Sequence, residues 1–240
     1  GELESETLVV NELYLTWANP FGYFIAGRAP VQFGMGLTHN AGRGEFDHWF
    51  DTKDLVGYKL VFGNLYLFPM YGKIREGDAE LDDDIQEWML QVGYENLDTD
   101  LELGIFASKK KSNPGGLDVT AATDIYNQTG STVTANSKLD VTTINIFAKK
   151  RVGQFVFKVE SSMQSGSTGL YNAGSESIEL DANALVGEIN YESKGSTDYN
   201  LKAGMITGDD RSSKDYEGYL VDRNFDVALI LFNYQLGTSG

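Results

Sequence analysis

The chain has 240 residues and a mass of 26.5 kDa, enough for one large domain or two ordinary ones. Its net charge of −16 argues against nucleic-acid binding, which needs clustered positive charge, and the absence of cysteine excludes disulfides, thiolate metal sites and cysteine catalysis. The longest wholly apolar run, Val227–Phe232, is too short for a transmembrane helix, and the lack of a basic-then-apolar leader is expected of a mature or never-exported sequence.

Helical periodicity is not sustained anywhere, whereas period-2 alternation recurs. Trp88, Leu90, Val92 and Tyr94 oppose Glu87, Gln91 and Gly93; Leu101, Leu103, Ile105 and Ala107 oppose Glu102, Gly104, Phe106 and Ser108. Phe155, Phe157 and Val159 oppose Lys158 and Glu160, and Tyr199, Leu201 and Ala203 oppose Asn200 and Lys202. In chain order this predicts an all-β protein of eleven strands at 7–17, 21–31, 54–63, 65–74, 85–96, 100–109, 138–150, 154–164, 180–192, 198–208 and 223–236. Most are about ten residues long, twice the usual globular strand and the length of a tilted strand that crosses a bilayer.

The connections alternate in length. Ala18-Asn19-Pro20, Gly63-Asn64, Leu97-Asp98-Thr99, Val152-Gly153 and Lys194-Gly195-Ser196 are tight, while 32–53, 75–84, 110–137, 165–179 and 209–222 are long. An up-and-down antiparallel transmembrane β-barrel has this register, with turns at one rim and loops at the other. Trp17, Phe21, Phe62, Tyr66, Tyr94, Phe155, Tyr191, Tyr199 and Tyr234 fall beside the short turns or near the last strand's end, as an interfacial aromatic girdle would. With that face outward, the lumen-lining set includes Glu12, Arg28, Lys59, Glu87, Gln91, Glu102, Lys158, Glu160, Glu188, Asn190 and Lys202. Strands three, four and eleven are apolar on both faces, which suits a lumen side packed by an inserted loop or a neighbouring protein.

The chain resembles bacterial outer-membrane β-barrels of the porin type, notably porin-like proteins of deltaproteobacterial and predatory lineages. The resemblance is carried by Arg28-Ala29-Pro30, Gly34-Met35-Gly36-Leu37, Asn40-Ala41-Gly42-Arg43-Gly44 and Asp51-Thr52-Lys53-Asp54. It implies a passive diffusion channel for small polar solutes in the outer membrane of a Gram-negative bacterium. The bilayer and lipopolysaccharide would be its partners, with other outer-membrane or periplasmic proteins, and it would have no cofactor. The alternative is a structural or partner-binding barrel, plugged by its own loop 32–53 or by another chain. One domain over 1–240 is expected, read as a segment of a larger barrel because eleven strands is odd and the sequence stops at Leu236-Gly237-Thr238-Ser239-Gly240, which reads as a turn.

Candidate chemistry is sparse. His39 and His48 share one loop with Glu45, Asp47 and Asp51, but a nine-residue spacing in a loop specifies no metal geometry. Serine is too abundant to nominate a catalytic partner for either histidine, so no enzyme is expected. The runs Glu80–Asp84 and Asp209-Asp210 could offer oxygen ligands to calcium but read more simply as solvated loop tips.

Overall fold

A computed structural model describes residues 10–44, 51–75, 85–112, 134–135, 138–171, 176–195, 197–210 and 212–225. Its strands are β1 (Leu13–Asn19), β2 (Gly22–Pro30), β3 (Thr52–Phe62), β4 (Leu65–Arg75), β5 (Ile85–Asn96), β6 (Leu101–Ser112), the two-residue β7 (Thr134–Ala135), β8 (Asp140–Val152), β9 (Phe155–Tyr171), β10 (Ser177–Tyr191) and β11 (Tyr199–Ile206). Ten of them form one antiparallel meander in chain order, and β7 pairs with the far end of β9.

Two features differ from the predicted barrel. Among the described residues β1 pairs only with β2 and β11 only with β10, so the sheet is open rather than closed. The strand predicted at 223–236 does not begin where expected. Asp222 accepts from the amide of Asn224 through its carboxylate (2.9 Å) and from that of Phe225 through its carbonyl (2.9 Å), which bends the chain into a turn. Residues 226–236 lie outside the described residues. Among the described residues, which begin at Val10, the strand predicted from residue 7 is paired from Leu13.

The sheet is inside-out by the standards of a soluble protein. Its buried set includes Lys53, Glu87, Asn145, Glu160, Ser162 and Gln164, while Trp88, Ile105, Ile146, Met163, Leu201 and Met205 are all more than half exposed. Large apolar side chains facing out along several adjacent strands, opposite a polar inner face, are the arrangement of a sheet that faces lipid. The inner face is covered by the connection after β2. Val31 and Phe33 pack there with Leu55, Met70, Met89 and Phe106, while Leu37 joins Leu170, Leu180, Tyr216 and Tyr219 from the connection after β11. The apolar inner positions of β4 are thereby accounted for: Phe68 and Met70 belong to the cluster that holds the inserted loop.

The two-residue turn at Gly63-Asn64 fixes the register Phe62↔Leu65, with Gly63 in the left-handed region at φ 60°. That register corrects one girdle residue. Leu65 takes the outward position, so Tyr66, opposite Val61 and Gly93, falls on the inner face. Arg28 is corrected too. Ala29 is fully buried on the inner face, so Arg28 points outward, where it grips Asp54 of β3 with two hydrogen bonds of 2.9 and 2.8 Å. It lies two residues from the end of β2, at the loop rim, where a charge on the lipid side costs about 0–1 kcal/mol.

Candidate functional site

Inside the sheet the connection 31–44 is held by a continuous line of polar contacts. Gly34 and Gly36 adopt left-handed φ values of 53° and 86°, which turn successive amides towards one point. At that point sits the fully buried carboxylate of Glu160 from β9, whose Oε2 accepts from the Met35 amide at 2.5 Å. Its Oε1 accepts from Asn145 Nδ2 of β8 at 3.0 Å. The same Nδ2 donates to Thr38 Oγ1 at 2.6 Å, and Ser162 Oγ donates to Asn145 Oδ1 at 2.7 Å. Thr38 Oγ1 lies 3.1 Å from His39 Nδ1, and His39 Nε2 lies 3.0 Å from Glu87 Oε1 of β5. Glu87 Oε2 accepts from Lys53 Nζ of β3 at 2.5 Å. The line therefore runs from β9 through β8 and the loop to β5 and β3.

This network sets the state of His39. Burial, with Lys53 nearby, pushes its pKa down to about 3 against the pull of Glu87, so the ring is neutral. Thr38 Oγ1 accepts from Asn145 and is free to donate to Nδ1, which leaves the proton on Nε2, aimed at Glu87. The far side of the loop is tied to the connection after β11. The Asn40 amide donates to Asp222 Oδ2 (3.2 Å), Asn40 Nδ2 donates to the Asn224 carbonyl (3.1 Å) and the Asp222 amide donates to the Leu37 carbonyl (2.8 Å). Burial raises the pKa of Asp222.

Between this loop and the short turns lies a cavity of about 490 Å³, floored by Phe33, Gly34 and Met35. Its wall is charged with both signs. Lys149 pairs with Glu102 (2.6 Å), and Lys158 and Lys202 share Glu188 (2.7 and 3.4 Å). Gln91 donates to the Tyr66 hydroxyl (2.8 Å), and Lys59 Nζ stands 3.7 Å above the Tyr66 ring. Asn190 donates to Glu188 at 2.7 Å. Glu12, before β1, receives Arg43 of the inserted loop at 2.5 Å.

Of the residues expected in the girdle, Trp17, Phe21, Phe62 and Tyr199 are each more than 60% exposed beside short turns. The rings of Phe155 and Tyr191 lie 5.0 Å apart and tilted by 50°, with Tyr199 6.2 Å from Tyr191, and Tyr94 accepts from Asn96 Nδ2. Tyr234, His48, Glu45, Asp47 and the run Glu80–Asp84 lie outside the described residues. Asp209 and Asp210 are used in turns, accepting from the amides of Glu217 and Ser212. Lys53, Thr38 and Asn145 escaped the sequence reading. Lys53 was within its reach, since it is an even number of residues from Lys59 and so shares its face.

An antiparallel meander of long strands with an apolar outer face and a polar inner wall defines an outer-membrane β-barrel protein, whose place is the outer membrane of a Gram-negative bacterium. Two solved structures are similar to the chain. One is a loop L8 deletion mutant of OmpT, an outer membrane protein of Vibrio cholerae, at 17% identity and a TM-score of 0.49, covering 80% of this chain. The other is outer-membrane expressed OmpT of Vibrio cholerae, at 15% identity and a TM-score of 0.42, covering 89% of this chain and 77% of that one. The chain spans 59% of the length of the first. No family model and no curated protein matches the sequence.

The expectation that the chain is not an enzyme is corrected. It rested on the lack of any partner for a histidine, and the structure supplies one, Glu87, 3.0 Å from His39; the solved neighbours, both called OmpT, lend that exclusion no support. Neither finding assigns a reaction.

Proposed function

We propose that the chain builds the wall of a porin-like channel for passive diffusion of small polar solutes, narrowed from within by residues 31–44. The observation that carries this reading is the cavity of about 490 Å³ whose wall bears Lys149, Lys158 and Lys202 among Glu95, Glu102 and Glu188. Charges of both signs on a water-filled wall with low-dielectric backing offer a polar solute replacement partners for its hydration shell and attract small ions of either sign. The bilayer and lipopolysaccharide are its proposed surroundings, since the acidic loop 209–222 would need divalent cations to approach an anionic surface.

The line of contacts from β9 to β3 favours a second reading, a barrel plugged by its own loop. Conductance of the folded full-length protein in planar bilayers separates the two. Stepwise ion currents support the channel; a folded protein without current overturns it and leaves the plug.

A further inference from the structure

We propose that Glu160 is the residue that positions the constriction: its carboxylate fills the backbone nest of residues 34–37 and latches the inserted loop to β9, so that the bore widens when this one contact is lost. The inference rests on the channel reading for its effect on current, but not for the latch itself.

Left-handed glycines at 34 and 36 build a concavity of amides that suits an anion. Here the anion is supplied by the wall, 125 residues away in sequence, with Met35 N at 2.5 Å from Oε2. The fit is tight on the loop side: a Cβ added at Gly34 would stand 2.6 Å from Glu160 Oε2 and 2.8 Å from its Cδ. Glu160 also organises the rest of the line, because Asn145 Nδ2 divides its protons between Glu160 and Thr38, and Thr38 leads on to His39. Glutamine keeps a single carbonyl acceptor, so its NH2 group must face either the loop amides or Asn145 Nδ2, both of which need an acceptor, and one side of the latch is lost without removing volume.

The sequence contains no cysteine, so Ala41→Cys, on the buried inserted loop, provides a single thiol in this chain. The full-length protein is folded into vesicles, and its rate of alkylation by a water-soluble maleimide is measured beside its conductance. Adding Glu160→Gln is expected to speed alkylation about tenfold or more, the factor for losing one charge-assisted hydrogen bond, and to raise single-channel current. Gly34→Ala attacks the same contact from the loop and leaves the strands untouched, so it carries the test if Glu160→Gln fails to assemble. Glu192→Gln, at the short-turn rim, serves as the control and leaves both readouts unchanged. Unchanged alkylation in folded Gly34→Ala overturns the latch even where channels conduct. Faster alkylation with no current in any variant keeps the latch and overturns the channel.

Discussion

Glu87 sits fully buried among Lys53, His39 and, at 4.0 Å, Lys110. A buried carboxylate is tolerable only while its partners remain, and removing one partner of a buried pair costs about 3–5 kcal/mol. Lys53→Met is therefore expected to lower the unfolding free energy by about that amount in urea titrations. Lys53→Met combined with Glu87→Leu should lose less, because no uncompensated charge is left behind; a double variant weaker than the single would refute the pairing. His39 gives a second outcome. Its folded pKa, about 3, lies below the unfolded value near 6.5, so the unfolded chain binds more protons between those limits. Stability is present in full above pH 6.5 and drains away as the pH falls towards 3. The groups facing the ring are Glu87 on β5, Lys53 on β3 and Lys110 on β6. His39→Gln should flatten the change between pH 6.5 and 4 in melting scans; a slope equal to the parent's would mean that other groups carry it.

At the scale of the strand, alternation assigns a face reliably where several charges share an element, as Lys158 and Glu160 do on β9. It failed at Arg28, the lone charge of β2, because one charge fixes no parity and its partner Asp54 belongs to another strand. It failed at Tyr66 because a two-residue turn decides which residue follows it outward. The strand positions, the short turns and the meander were legible, since each is a local property of the sequence, but the lengths were not throughout: β9 runs on to Tyr171 and β10 starts at Ser177, inside the connection expected at 165–179. The inserted loop was open only as an alternative, because its glycines are visible but Glu160 and Asp222 are remote in sequence. The register makes a prediction. Arg28→Gln should leave the reversal potential of any channel unchanged, whereas Lys158→Gln, which leaves Lys202 as the cation on Glu188, should shift it towards cations. Equal shifts from both would put Arg28 back inside.

For the whole molecule, the apolar outer face and polar interior predict folding only with lipid or detergent, seen as a band whose migration changes on boiling. A water-soluble monomer without detergent would defeat the membrane assignment. The connection after β11 also behaves unlike a free loop. Tyr216 and Tyr219 are buried, and the Tyr216 backbone exchanges hydrogen bonds with Glu179 and Asp181 of β10. Protease added to intact cells should therefore spare 214–222; early cleavage there would show that this segment lies open.

The contact between Met35 and Glu160 also orders events in time. Neighbouring strands of the meander can zip one hairpin after another, each closing a short stretch of chain, but the nest must wait for an acid 125 residues downstream. The newly assembled wall consequently exists first with an empty interior, and the loop docks as a late step. Followed during refolding, β-sheet circular dichroism should reach its plateau before a thiol at position 41 becomes protected, and in a variant without Glu160 that protection should be weaker while the first phase is unchanged.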